Sequence, residues 1–112
     1  MSKLTVNEVL QQVDSLLPNQ YSEEQKRHWI AQAEGFVAEL TGTAAEEGVL
    51  TAPVPYCQLY RHYVEAQIHY ANAETERFNN AMALWNSLLL AYHSHLARNG
   101  ALRGTATALK LC

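Results

Sequence analysis

The sequence predicts a small all-α protein: a bundle of about four helices with one long loop and a flexible C-terminal tail. Apolar residues recur with helical spacing, capping residues precede the first two apolar runs, and no glycine or proline occurs between Tyr56 and Asn99. A chain of 112 residues forms one domain with a modest core. We expect residues 1–99 to form the helical domain and residues 100–112 to form the tail.

The first helix is predicted from about Leu4 to Leu17. Thr5 and Glu8 have the spacing of a capping box, in which each side chain bonds the other residue's backbone N–H. Pro18 is expected to end the helix. The apolar residues of this segment share one helical face: Val6, Val9, Leu10, Val13, Leu16 and Leu17.

The second helix is predicted to begin after Ser22, with Gln25 as the partner in a second capping box. Glu23 and Glu24 fall where the helix dipole favours negative charge. Gly42 is placed to end the helix in a left-handed conformation. Its apolar face is formed by Trp29, Ala33, Phe36, Val37 and Leu40.

Residues 41–55 show no hydrophobic period and hold two of the five glycines and two of the three prolines. They predict a loop of about 13 to 15 residues, a length at which loops are often functional or mobile. Pro55 is expected to open the next helix, where its missing N–H has no cost.

Two apolar stripes follow between Tyr56 and Asn99, and they stay in heptad phase. The phase favours one long helix, but such a helix would extend about 65 Å. An antiparallel hairpin with a turn near residues 75–80 would pack better, and we favour it while both remain open. In that hairpin Asn79 forms the turn and Asn80 caps the following helix, which is a more economical explanation than a binding site.

The composition excludes several classes of function. Only 17% of residues are charged, against about 25% in an average domain, which indicates that part of the surface is covered by another protein. The net charge is −3 and no basic stripe is present, so direct DNA binding is not expected. Neither a membrane-spanning run nor a signal peptide is evident, which predicts a chain that stays in the cytosol.

The candidate chemical groups do not form a catalytic or metal site. His62 and His69 lie two helical turns apart, and His93 and His95 point away from each other, so the histidines predict no metal centre. No phosphate loop, nucleophile motif or cofactor motif occurs. We therefore expect a protein that is not an enzyme and binds no cofactor. Cys57 is expected to be a small core residue and Cys112 a loose terminal thiol. We do not expect the two to form a disulfide in a cytosolic chain.

Apolar side chains cover more than one face of the later helices. Four tyrosines crowd residues 56–70, and three successive leucines occupy positions 88–90. Either the core is wide on this side or a partner covers the excess, and the two explanations stay open. The residues assigned to an interface on this ground are Tyr56, Tyr60, Tyr63 and Leu90.

The segment "PYCQLYRHYVEAQIHYANAETERFNNAMALWNSLLLAY", residues 55–92, resembles the small head–tail connector proteins of tailed bacteriophages and prophages. The resemblance extends over residues 4–98 and is most specific in the asparagine segment; the tail does not share it. The matching elements are Pro55, Leu59, Tyr60, Tyr63, Ala66-Gln67-Ile68, Glu74, Asn79-Asn80, Met82-Ala83-Leu84, Trp85 and Asn86.

The resemblance implies a helical bundle that forms a ring, commonly of twelve copies, beneath the portal protein. Such a ring joins the capsid to a downstream neck or tail-completion protein, with DNA only passing through its channel. The chain would then be a structural virion protein of the neck, assembled in the cytoplasm of the bacterial host. By the same resemblance, loop 41–55 and the tail would contact the portal or neighbouring subunits, the tail through Leu102, Leu109 and Leu111.

An alternative explains the excess aromatic residues equally well: a small helical regulatory or adaptor protein that binds a host protein through its tyrosines. A DNA-binding repressor is disfavoured because residues 22–40 contain two basic residues against four glutamates.

Overall fold

The structure is a computed structural model that describes residues 3–42 and 48–99. The predicted mostly α-helical architecture is confirmed, with four helices and one small two-stranded sheet in the described part of the chain. The predicted flexible tail and its leucines lie outside the described residues. In chain order the elements are β1 (Lys3–Thr5), α1 (Val6–Leu16), α2 (Glu23–Thr41), β2 (Val49–Pro53), a 3₁₀ turn (Tyr56–Gln58), α3 (Leu59–Ala71) and α4 (Thr75–Arg98).

The predicted capping residues are in place at α1 and α2, with a complete capping box at α1 and one bond of the second box at α2. Glu8 N donates to Thr5 Oγ1 at 3.2 Å and Thr5 N donates to the Glu8 carboxylate at 2.9 Å, which completes the capping box. Ser22 Oγ accepts from the N–H of Gln25 at 3.1 Å. Gly42 closes α2 with a φ of 77°, a conformation that an L side chain would strain.

The prediction of a structureless loop over 41–55 was wrong at its second half. Residues 49–53 form β2, which pairs antiparallel with β1 through Lys3 opposite Pro53 and Thr5 opposite Val49. The alternation typical of a strand is missing because Leu50, Thr51 and Ala52 are all buried, so both faces of the strand are covered.

Two predicted helix starts also moved. Leu4 and Thr5 belong to β1, so α1 begins at Val6. Pro55 precedes the 3₁₀ turn and does not open the helix, because α3 begins only at Leu59.

The favoured hairpin of α3 and α4 is present, but its turn lies earlier than predicted, at residues 72–74. Asn79 and Asn80 are inside α4 and exposed on its surface, so their predicted role as turn and cap was wrong. The turn is closed by other groups. Glu74 N donates to the carbonyl of His69 at 2.8 Å and the two side chains also bond at 2.8 Å, while Ala73 takes a positive φ of 60°.

Helix α3 forms the centre of the core, with α1, α2 and α4 packed around it. Cys57 is 2% exposed, which confirms it as a small core residue, and Cys112 lies outside the described residues. From α4, Trp85 and Tyr92 reach inward and are each 4% exposed. The largest fully buried side chains are Tyr60, Ile30, Leu50, Leu59, Ile68, Val9, Val13, Val37 and Val64.

Candidate interaction surfaces

The tyrosines assigned to an interface are largely taken up by the chain's own core. Tyr60 is 0% and Tyr63 is 8% exposed. Tyr56 is half-buried, and its ring lies 5.3 Å from the ring of Tyr92. The wide-core explanation therefore accounts for these three residues. Leu90, at 66% exposed, remains available for a contact.

A half-buried carboxylate, that of Glu34, which the sequence did not single out, holds Tyr60 in place. The hydroxyl of Tyr60 donates to Glu34 Oε1 at 2.7 Å and accepts from the N–H of Ala52 at 3.0 Å. Thr51 donates to Glu34 through its N–H at 3.0 Å and its hydroxyl at 2.8 Å. Burial raises the pKa of Tyr60. The only signal in the sequence was an acidic residue beside apolar Ala33 and Val37.

This network ties α2, β2 and α3 together. The Glu34 carboxylate accepts from Thr51 and Tyr60, which satisfies the polar groups that burial at this junction withdraws from water. The arrangement is structural, because its bonds join side-chain and backbone groups of three elements of the same chain.

An aromatic groove lies between α2 and the α3 residue Tyr63. It has a volume of about 350 Å³ and is lined by Gln32, Gly35, Phe36, Glu39 and Tyr63. Phe36 is 54% exposed although its ring lies 6.3 Å from both Tyr63 and Trp85. Tyr63 donates its hydroxyl to Gln32 at 3.2 Å. A half-exposed aromatic ring on an aromatic floor is typical of a contact surface for another protein.

A second surface, the α4 face, lies on the side of α4 that points away from Trp85. Its leucines, Leu84 and Leu90, are 51% and 66% exposed. No aspartate, glutamate, lysine or arginine occurs between Arg77 and Arg98. An exposed helix surface without charge over so many residues is unusual for a solvated face. The α4 face is defined by Asn80, Ala83, Leu84, Ser87, Leu90, Ala91 and Ser94, all exposed.

A third surface, the hairpin notch, lies at the turn between α3 and α4. Its volume is about 350 Å³. Tyr70 is 70% exposed and its ring lies 5.3 Å from that of Phe78. The notch is lined by Tyr70, Ala73, Glu74, Thr75, Phe78 and Asn79, so the asparagine segment contributes one wall of it.

The charged groups near the notch are already paired. Glu74 bonds His69 at 2.8 Å and lies 3.6 Å from Arg77. The hydrogen bond from His69 lowers the pKa of Glu74. The carboxylate thus secures the turn, and the two aromatic rings of Tyr70 and Phe78 remain as the apolar groups of the notch.

His62 is a buried histidine with one unsatisfied ring nitrogen. Its Nδ1 has no hydrogen-bond partner among the described residues and lies 4.0 Å from Glu65. Glu65 is instead engaged by Arg61 through two bonds of 3.0 and 3.1 Å. Burial, with Arg61 adding to it, lowers the pKa of His62.

Within residues 3–42 and 48–99, no group of three or more histidine, cysteine, aspartate or glutamate side chains is arranged to hold a metal ion. None of the helices in this part of the chain is long and apolar enough to span a membrane. The described residues form three surfaces with exposed apolar side chains: the aromatic groove, the α4 face and the hairpin notch.

Comparisons with protein-family models, with curated proteins and with solved structures give no match to this chain. Similarity to proteins of established function therefore assigns no family to it. Any assignment depends on the residues themselves, on the motif segment of residues 55–92 and on the three surfaces.

Proposed function

We propose that this chain is a structural virion protein, a head–tail connector that forms a ring beneath the portal and joins the capsid to the tail. The resemblance of residues 55–92 to connector proteins supports the proposal. The helical bundle that this resemblance implies agrees with the observed architecture. Its partners would be the portal protein, a downstream neck protein and further copies of the chain.

The observation that carries the proposal is apolar surface on two different sides of one small bundle. Phe36 contacts Trp85 on the inward side of α4, whereas Leu84 and Leu90 are exposed on its outward side. A closed ring with head-to-tail contacts needs two different surfaces on each subunit. The aromatic groove and the α4 face meet that requirement.

The net charge supports the same function. A channel wall must let DNA pass without holding it, and a chain of net charge −3 repels the phosphate backbone. The low content of charged residues, 17%, fits a protein that has much of its surface in contact with neighbours.

The test is to mix the protein with the portal protein from the same genome and to image the product by electron microscopy. We expect a ring of added density on the tail-side face of the portal. A folded protein that adds no density would contradict the proposal.

Surface variants sharpen this experiment. Phe36→Gln changes the exposed ring of the aromatic groove, and we expect it to abolish or strongly reduce the added density. Leu16→Gln is the matched control, because Leu16 is 62% exposed on α1 and lies outside all three surfaces. Equal assembly by the two variants would remove the groove from the ring contact.

A second candidate function is a helical adaptor that binds a host protein. The observation that favours it is the hairpin notch, where Tyr70 is 70% exposed beside Phe78. Tyr60 is fully buried and cannot contribute, and Tyr63 reaches the surface only in the aromatic groove. The portal experiment separates the two candidates, because an adaptor gives no ring on the portal.

A further inference from the structure

The exposed side of α4 has a pattern that is symmetric about Ser87. Four pairs of exposed residues at equal distances before and after Ser87 are identical, both polar or of opposite charge. The matched pairs are Leu84 with Leu90, Ala83 with Ala91, Asn80 with Ser94, and Glu76 with Arg98.

These residues lie on one side of the helix. An α-helix turns about 100° per residue, so spacings of three, four, seven and eleven residues return to the same side. Glu76 and Arg98 therefore extend the α4 face by a turn or more at each end. The result is an uncharged centre with an acidic residue at one end and a basic residue at the other.

Glu76 and Arg98 cannot pair within one chain. They are 22 positions apart, which separates them by about 33 Å along the helix. The described part of the chain also offers neither of them an ion-pair partner. Their charges are thus available to a second molecule.

We infer that two copies of this chain pair through their α4 faces, antiparallel, about a two-fold axis at Ser87. In this arrangement each Glu76 lies beside Arg98 of the second copy, so the dimer contains the ion pair twice. Leu84 packs against Leu90 of the second copy, and the small alanines allow the two helices to approach closely. An isologous contact requires this kind of self-complementary pattern.

A parallel pair lacks this complementarity, since it would place Glu76 beside Glu76 and Arg98 beside Arg98. The antiparallel pair also opposes the two helix dipoles favourably. The contact is one helix wide and so falls among small interfaces, for which we expect micromolar association.

The dimer is independent of the proposed function and adds to it. Pairing covers Leu84 and Leu90, so it protects the α4 face while the protein is free. If the ring uses the same face, the dimer must dissociate before the ring forms. The dimer would thus keep the free protein from polymerising before assembly.

The first test is sedimentation equilibrium over a wide concentration range. We expect the mass to double from the monomer value of 12.6 kDa as the concentration rises. Glu76→Arg and Arg98→Glu should each weaken dimerisation about tenfold or more, because each puts like charges at both ends of the contact. The double variant E76R/R98E should restore it.

Glu24→Arg is the matched control, since Glu24 is an exposed acidic residue in the first turn of α2 and should leave the mass unchanged. Circular dichroism confirms that each variant keeps its helix content. A mass of 12.6 kDa at all concentrations, or a double variant as weak as the single ones, would overturn the inference.

Disulfide cross-linking tests the two-fold axis directly, in a Cys112→Ser background with the buried Cys57 unchanged. S87C should cross-link to itself under mild oxidation, because only the residue on the axis meets its own copy. S94C should not cross-link alone but should cross-link to N80C when the two variants are mixed. Self-cross-linking of S94C would show a parallel pair and refute the axis, as would failure of S87C to cross-link.

These results do not depend on the portal. A dimer with the expected cross-links and no ring on the portal would retain this inference and reject the connector. A ring on the portal without any dimer in solution would retain the connector and reject this inference.

Discussion

Glu34 is the residue on which the packing of three elements depends, because its carboxylate accepts bonds from Thr51 and from Tyr60. Glu34→Ala leaves the N–H of Thr51 without its acceptor, and we expect a loss of about 2 kcal/mol in the free energy of unfolding. Urea denaturation measures this change. Glu39→Ala, an exposed position on the same helix, should change stability by less than about 0.5 kcal/mol. Equal effects would show that the network contributes nothing.

Trp85 is the aromatic residue by which α4 joins the core. Its ring lies 5.0 Å from that of Tyr63, and the side chain is 4% exposed. Trp85→Ala should lower the free energy of unfolding by about 3–5 kcal/mol, as measured by thermal or urea unfolding. Asn86→Ala, at the exposed neighbouring position, serves as the control. Lost assembly with little lost stability would move Trp85 from the core to an interface.

His62 makes stability depend on pH, because burial lowers its pKa below the ordinary value of 6.5. The unfolded chain therefore binds a proton more readily than the folded chain. The free energy of unfolding falls as the pH drops from 6.5 to the lower pKa of the folded protein, and it levels off below that pKa. The neighbouring charges are Arg61, which adds to the shift, and Glu65, which opposes it. In His62→Leu the slope of unfolding free energy over this range should become shallower. An unchanged slope would exclude His62 as its source.

At the scale of the element, α2 contains two glycines with opposite expected effects. A Cβ at Gly35 would meet nothing within 4 Å, whereas Gly42 has a φ of 77°. Gly35→Ala should raise the unfolding free energy by about 0.5–1 kcal/mol because alanine favours the helix. Gly42→Ala should lower it by about 1 kcal/mol through backbone strain. Thermal melting of the two variants is the measurement, and equal signs would contradict the conformational argument.

In the hairpin of α3 and α4, contacts at the end of α3 determine where α4 begins. His69 and Glu74 close the turn through backbone and side-chain bonds, so α4 starts at Thr75 without a capping side chain. Asn79 and Asn80 are then free of the local role that their residue type favours. Their place on the surface makes one of them part of the hairpin notch and the other part of the α4 face.

At the scale of the whole molecule, charge sets the response to DNA. The net charge is −3, and we expect no retardation of duplex DNA by the free protein in a gel-shift experiment near physiological salt. Salt-sensitive retardation would indicate a basic surface and would contradict a channel wall that DNA passes without binding.

The sequence by itself determined the helical architecture and the capping residues of α1 and α2, because these depend on neighbouring residues, but not where α3 and α4 begin. Thr5 with Glu8, Ser22 and Gly42 cap their helices through contacts within a few positions. Helical spacing identified only part of the core faces of α1 and α2, because Leu16 and Phe36 are exposed and the buried Ile30 was not predicted. The hairpin of α3 and α4 was favoured because a single helix over the same residues would be too long for a domain of this size.

Only the tertiary structure decided which surplus apolar residues face the core. Tyr60 is buried because Glu34, 26 positions away, and β2 surround its hydroxyl, and no local pattern contains that information. The strand β2 was hidden for the same reason, since burial on both faces erased its alternation. The exposure of Leu84 and Leu90 likewise depends on which side of α4 the remaining helices cover, and packing between distant segments sets that side.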